Sequence, residues 1–216
     1  MDQLPVTVVI LTKNEQSMIV NCIETLKWCQ EIIVIDHQST DSTVQLAKRT
    51  GAVVYTTDKE SFAERRNYGL SKVRTDWVFY LDADERVTPQ LKTEIEENLV
   101  QNNSDAFTFQ RQNIHYGKWL EHGGWEHDQV TRLFRVSKLK EWTGKIHESP
   151  QFIGTEQTLK QPLVHLTHRN MVEGLQKTID WTGYEAELLF QSGHPPVTQT
   201  TLLRKTVMEF WRRAFQ

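Results

Sequence analysis

The sequence predicts an α/β fold built on a mostly parallel sheet with helices on both faces. Short apolar runs alternate with helical patterns through the first half of the chain, and three of those runs finish in polar clusters. The 216 residues, 38% hydrophobic and 25% charged, suit one globular domain with a C-terminal appendage.

Residues 6–11 form the first apolar run, and a helical pattern over 17–26 follows it. The rhythm repeats as 32–35 then 42–49, 53–55 then 62–72, and 78–81 then 89–100. Strands joined through helices are parallel neighbours, which is why the pattern reads as βαβ units. After about Asn103 the spacing becomes strand-like over 106–110 and 130–136, with a Gly-, His- and Trp-rich loop from 116 to 128 between them. Helical spacing returns over 171–190, Pro195 and Pro196 interrupt it, and a last helix is expected from near Thr198.

In open α/β sheets, ligands bind in the crevice beyond the carboxyl ends of the strands. Three clusters fall there: Thr12-Lys13-Asn14-Glu15, Asp36-His37-Gln38-Ser39 and Asp82-Ala83-Asp84-Glu85. Two carboxylates, Asp82 and Asp84, at one strand end suit a hard divalent cation that bridges protein oxygens to a diphosphate. Taken alone, an acidic strand end is more often a solvated turn, or a cap supplied by Asp or Glu to the helix at Pro89, so the isolated motif is weak. Ser39, Thr40 and Asp41 likewise read as caps for the helix after them. Asp36, at the end of an apolar strand, needs a partner if buried, and a nucleobase N–H is one such partner.

Taken in order, Val8 to Glu15, Ile35 to Thr43 and Leu81 to Glu85, with Ala63-Glu64-Arg65-Arg66-Asn67-Tyr68-Gly69 between the last two, resemble glycosyltransferase family two. These are inverting enzymes of the GT-A fold. The resemblance covers the first half of the chain, and the ordered set is specific where each member is not. It implies that Thr12 and Glu15 line a nucleotide pocket and that Asp36 contacts the base. It also implies that Arg66 approaches the diphosphate or base, with Arg65 competing for that role, and that Asp82 and Asp84 hold the ribose and a Mn²⁺ or Mg²⁺ ion. The other reading of Arg66 is a surface helix residue paired with Glu64 or Asp58.

Further on, 124–134 and 144–148 resemble a narrower subgroup that includes the lipopolysaccharide inner-core glucosyltransferases. Inverting transfer needs a base for the acceptor hydroxyl. The resemblance offers Asp128 for it, with Glu126 as competitor. It adds His147 as a further metal ligand, balanced against an ordinary hydrogen-bonded histidine. His165 and His168 have helix-compatible spacing and no Cys to complete a zinc site, so both read as structural. The expected domains are 1–170, divided into a nucleotide-sugar half at 1–103 and an acceptor half at 104–170, and C-terminal helices over 171–216.

Leu203, Val207, Phe210, Trp211 and Ala214 fall on one face of the last helix, away from Lys205, Arg212 and Arg213. That face suits packing onto the domain and peripheral membrane contact through 203–216 equally. A formal net charge of −3 gives no electrostatic reason for nucleic-acid binding. Cys22 and Cys29, both expected in the first helix, read as buried thiols in a reducing compartment. Without a signal-peptide pattern or a long apolar run, the expected location is cytoplasmic, with any membrane contact on the inner face. The expected partners are a UDP-sugar donor, of glucose or another hexose, and a glycolipid or polysaccharide acceptor. A peptide acceptor and a non-catalytic nucleotide-sugar binding module are the alternatives. A dinucleotide-dependent oxidoreductase is disfavoured because no Gly-x-Gly-x-x-Gly follows the first strand.

Overall fold

A computed structural model describes residues 3–122, 128–144, 148–167, 171–191, 193 and 195–215. The chain divides into two compact units, 1–111 with 129–165, and 112–128 with 166–216.

The first unit opens with β1 (Leu4–Thr12), α1 (Ile19–Glu24), β2 (Cys29–Asp36), α2 (Thr43–Arg49), β3 (Val53–Thr56), α3 (Phe62–Leu70) and β4 (Trp77–Asp82). Next come the two-residue β5 (Glu85–Arg86), α4 (Pro89–Gln101) and β6 (Ala106–His115), whose far end enters the second unit with β7 (Lys118–Trp119). The first unit closes with β8 (Gln129–Arg135), β9 (Leu139–Thr143), β10 (Ser149–Phe152), β11 (Glu156–Thr158) and β12 (Leu163–His165). In the second unit are the long helices α5 (Met171–Gln191) and α6 (Gln199–Phe215).

The sheet runs β3-β2-β1-β4-β8-β6-β12-β5. β1, β2, β3 and β4 pair in parallel, as the βαβ rhythm predicts. β8 then joins β4 in the antiparallel sense and carries the sheet into the second half of the chain. Val6, Val8 and Ile10 enter one hydrophobic cluster with Ile19, Ile23, Phe79 and Leu91, whereas Val9 and Leu11 enter another with Ala63, Ile35, Tyr80 and Trp142. A strand covered on both faces reads as a continuous apolar run, which explains why β1 and β4 are legible without alternation. Phe79 stacks on Phe109 with ring centroids 5.1 Å apart, extending the first cluster across β8 to β6.

Three local expectations change. The first helix is six residues long, and Cys29 opens β2 instead of lying in that helix. Thr25 caps α1, its backbone N–H bonding back to Cys22 and Ile23, so the helical pattern stops short of Leu26. Both cysteines are buried and unbridged. The helix at Pro89 is capped by Thr88, whose side chain accepts from the Leu91 N–H with Pro89 at the first turn, so neither Asp nor Glu is used there. Ser39 and Thr40 bond to the facing loop instead of capping α2, whereas Asp41 does accept from the N–H of Thr43, the first residue of that helix, at 2.9 Å, and Ser42 takes the N-cap position without a side-chain bond.

Among the described residues no helix is long and apolar enough to cross a membrane. Leu203, Val207, Phe210 and Trp211 of α6 are all exposed. The side chains of Arg212, Arg213 and Ala214 lie outside the described residues.

Candidate active site

Register fixes where the first three clusters meet. Thr12 sits opposite Asp36 and Leu11 sits opposite Asp82, so the carboxyl ends of β2, β1 and β4 finish side by side. This is the crevice of a parallel sheet, and the polar residues gather there because each strand end is the first point at which its chain leaves the core.

On one side, the loop after β1 is laced to the loop after β2. The buried Thr12 hydroxyl donates to Asp36 Oδ1 at 3.1 Å, and Ser39 N–H donates to Asp36 Oδ2 at 2.9 Å. Asn14 N–H donates to Ser39 Oγ, while Asn14 Oδ1 accepts from Thr40 N–H, both at 2.8 Å. Glu15 N–H donates to Thr43 Oγ1 at 2.8 Å, and Gln16 N–H to Asp41 Oδ2 at 3.1 Å. Asn14 and Gln38 adopt left-handed backbone, φ 56° and 53°, which turns each loop sharply out of its strand. Asp36, 1% exposed, therefore has its burial compensated within the chain by hydroxyl and N–H donors.

On the other side, β4 delivers Asp82, Asp84 and Glu85, and each carboxylate is used differently. Asp82 Oδ1 lies 3.5 Å from Arg66 Nη2 of α3, and Oδ2 lies 3.2 Å from Arg132 Nη2 of β8. Burial pushes the Asp82 carboxyl up, but the positive charges of Arg132 and Arg66 outweigh it and hold it well below the usual carboxylate range. Glu85 is fully buried and folds back to accept from the Asp82 N–H at 3.0 Å. Burial, together with the neighbouring Asp82 charge, raises its proton affinity. Asp84 lies 3.5 Å from His165 Nε2 of β12, with side-chain exposures of 13% and 12%. Burial would lower the pKa of His165, yet the hydrogen bond and charge of Asp84 raise it overall.

Arg66 is not a surface residue. Its side chain is 1% exposed, its Nη2 is 3.0 Å from Glu148 Oε1, and its guanidinium lies 4.8 Å from the Trp142 ring centroid. The neighbouring Asn67 exchanges two hydrogen bonds with the Trp142 backbone, at 2.9 and 2.7 Å, and so fastens α3 to β9. Arg65 instead donates to the carbonyls of Ser61 and Glu60 and lies over Phe62, within its own helix start. Glu64 completes the Ser61 capping box of α3. Behind the cluster, burial pushes the Cys22 thiol up to about 12, leaving it a protonated thiol near the Asp82 carbonyl.

In the second unit Asp128 accepts from Asn113 Nδ2 at 2.8 Å, and Asn113 is fully buried. A buried amide donor fixes the direction of that carboxylate. Glu126, His147 and His168 lie outside the described residues.

The structure thus gathers Thr12 with Asp36 and the Glu15 backbone, and Arg66 with Asp82. It also brings in three residues that the sequence reading left without a role, Arg132, Glu148 and His165. His165 lies in a strand paired with β5, where it sits opposite Glu85, so the helical spacing with His168 was the wrong period for it. Arg132 was visible as a charge inside an apolar run, the pattern of a buried residue that requires a counterion.

A divalent cation is tested by the donor set. Asp84 and His165 present one carboxylate and one imidazole within 3.5 Å of each other, beside a strand end. Among the described residues no group of three or more metal-ligating side chains occurs. That set fits a cation taking two protein ligands and completing its shell with diphosphate oxygens and water, as Mg²⁺ and Mn²⁺ do.

A family model described as glycosyl transferase family 2 matches residues 7–162. An uncharacterized glycosyltransferase of Rickettsia bellii is 25% identical over 201 residues, covering 87% of this chain and 68% of that protein. One of Rickettsia typhi is 36% identical over 99 residues, covering 45% and 34%. The glycosyltransferase SunS of Bacillus subtilis is 28% identical over 153 residues, covering 69% and 35%. The chain therefore spans about a third of the length of the Rickettsia typhi and Bacillus relatives. Among solved structures, Staphylococcus aureus TarS 1–349 in complex with UDP-GlcNAc superposes with a TM-score of 0.55 at 12% identity, covering 79% of this chain and 60% of that one. At that identity the likeness concerns the fold, a GT-A arrangement of a mainly parallel sheet and flanking helices.

Proposed function

From the premise that the chain belongs to glycosyl transferase family 2, we propose that it transfers a sugar, with inversion, from a UDP-sugar to a hydroxyl of a cell-envelope glycolipid. The observation that carries this reading is the row of strand ends, Thr12 beside Asp36 and Leu11 beside Asp82, with the Asp84–His165 pair at its edge. TarS, which shares the fold, was solved with UDP-GlcNAc, and this supports a UDP-sugar as donor.

In this reading the laced loops after β1 and β2 receive the nucleoside, with Asp36 accepting from the base in exchange for one of its present donors. Asp84 and His165 hold the cation. Asp82, already engaged by two arginines, serves to keep them in place and presents its remaining face to the ribose. When bound, the cation supplies positive charge to the departing diphosphate. Asp128, aimed by Asn113, takes the acceptor hydroxyl proton as that oxygen attacks the anomeric carbon from the face opposite the diphosphate. The glycolipid acceptor rests on the resemblance of 124–134 and 144–148 to the lipopolysaccharide core subgroup.

A panel of nucleotide sugars assayed for UDP or GDP release tests this. Release from a UDP-sugar that stops with chelator and returns with Mn²⁺ or Mg²⁺ is expected, and candidate glycolipids should accelerate it over peptides. Asp128→Asn should lower turnover by about 10²-fold or more while nucleotide affinity holds. Full turnover in that variant, or no release from any nucleotide sugar, overturns the proposal.

A further inference from the structure

Resting on the reading of Asp128 as the base for the acceptor hydroxyl, we infer that the hairpin of β6 and β7 is an acceptor subsite, where Trp119 and Tyr116 stack on a sugar ring next to the one that reacts. Both side chains stand in water, Trp119 at 54% exposure and Tyr116 at 52%. A single exposed aromatic calls for no explanation. Two of them on one hairpin tip, one on strained backbone, do.

Ile114 pairs with Trp119 and His115 with Lys118, and the Leu120 N–H donates to the Asn113 carbonyl at 3.0 Å. Tyr116 and Gly117 make the two-residue turn between the strands, with φ 50° and 78°. A hairpin turn with two positive φ values favours Asn, Asp or Gly at its first position. A bulky Tyr is strained there, so folding alone would select another residue, and strain of this kind gathers where a side chain is kept for a ligand. The His115 ring meets the Tyr116 ring edge-on, with 6.5 Å between centroids, which restricts the phenol before anything binds.

Asn113 joins the hairpin to the chemistry, and all of these residues belong to the second unit. It is fully buried, its carbonyl bonds to β7's neighbour Leu120, and its amide donates to Asp128 at 2.8 Å. Directly opposed residues share one face of a ribbon, so Trp119 lies with Ile114 on the face away from Asn113. Tyr116 lies three residues further along than Asn113, about 10 Å at about 3.3 Å per residue. The stacked ring is therefore not the one whose hydroxyl Asp128 deprotonates, and the acceptor spans at least two sugars around the end of the hairpin.

The chemistry of the tip selects a saccharide. A pyranose turns C–H groups toward the negative face of an aromatic ring and keeps hydroxyls at its rim. Exposed Lys118, Glu121 and His122 flank the aromatics with polar groups to meet that rim. An acyl chain requires a contiguous apolar patch, which Gly117 and Lys118 interrupt. A second copy of the chain requires about 800 Å² per partner, more than two half-exposed rings supply. Trp and Tyr also give large contact area for little lost rotamer freedom.

The test is calorimetric titration of the full chain with delipidated lipopolysaccharide core oligosaccharide and with glucose, followed by UDP-release kinetics with the same saccharides. The wild type should bind the oligosaccharide at least about tenfold more tightly than glucose. Trp119→Ala and Tyr116→Gly should each weaken it about five- to tenfold, raise its KM without a matching fall in kcat, and leave the affinity for UDP as it was. Trp119→Phe should recover part of the loss, because stacking needs a ring. Tyr116→Gly should melt no lower than the wild type, since glycine accepts that backbone freely. Unchanged oligosaccharide affinity in both variants, or no saccharide binding by the wild type, overturns the subsite. Binding to anionic phospholipid vesicles that Trp119→Ala abolishes would mean an acyl partner and overturns it as well. A wild type that binds the oligosaccharide but releases no UDP from any nucleotide sugar overturns the transferase reading alone.

Discussion

Asp41 is exposed enough to look dispensable, yet its carboxylate joins two loops, accepting from Gln16 N–H on one and Thr43 N–H on its own. Partial burial pushes its pKa up, but the bonds from Thr43 and Gln16 win and hold it below the ordinary 3.8. A depressed carboxylate contributes stability that is complete above its unfolded pKa and lost as pH falls through the folded one. Asp41→Ala should therefore cost about 1 kcal/mol in urea unfolding near neutrality, and the gap to wild type should close in acid below pH about 4. A gap unchanged down to strongly acidic pH would show that the carboxylate charge plays no part. Arg66 lies at the other extreme. Arg66→Ala strands Asp82 and Glu148 in a partly buried site and should cost about 3 kcal/mol, whereas a loss below about 1 kcal/mol would mean that those acids regain water. At this scale the sequence was informative about which charged residues matter and silent about which of them pair. Asp82 and Asp84 stand two residues apart and announce themselves, whereas Arg132 and His165 reach them only through the pairing of β8 and β12.

The first-unit strands that carried a clear apolar run are covered by the core, and the first-unit helices that carried a clear period bury one face against it. β1, β2 and β4, and α2, α3 and α4, fall within a residue or three of their expected limits because apolar periodicity and burial are the same fact there. β5, β7, β9, β10, β11 and β12 gave no such signal. They are two to five residues long, partly exposed, and in β10 interrupted by Pro150, so tertiary pairing rather than local pattern makes them strands. One contact between elements sets the position of α3. A methyl group at Gly69 would come within 2.5 Å of Val9 Cγ1 and 3.3 Å of Ile35 Cγ1, so the helix rests directly on β1 and β2. Gly69→Ala should destabilise by about 1–3 kcal/mol through overpacking, and it should also weaken UDP binding, because Arg66 lies one turn earlier on the same helix. Unchanged denaturation midpoints would mean that Val9 moves aside freely. Thr88→Ala, by contrast, removes only the cap of α4 and should cost about 1 kcal/mol with nucleotide affinity untouched.

Across the whole chain, stability and exposure are unevenly divided. The core of the first unit is continuous around β1 and β4, whereas Leu175 and Ile179 on α5, like Leu203 and Phe210 on α6, are exposed. Replacing Leu175 and Ile179 together by serine should shift unfolding free energy by no more than about 0.5 kcal/mol per site, while Phe79→Ala should cost about 3–5 kcal/mol. A large loss from the α5 pair would mean that those side chains are covered in solution. The charged cluster has another property that follows from its connectivity. Arg66 and Glu148 are 82 residues apart in the chain, and Asp82 and Arg132 are 50 apart. Contacts of such span form late, since the loop entropy is lost before they reward it. During synthesis, a ribosome that has emitted only the first hundred residues presents Arg66 and Asp82 without Arg132, Glu148 or His165. The growing polypeptide therefore cannot close its buried charge cluster until almost the entire first unit has been translated, and two of the cluster's members wait for partners that chain order delivers last.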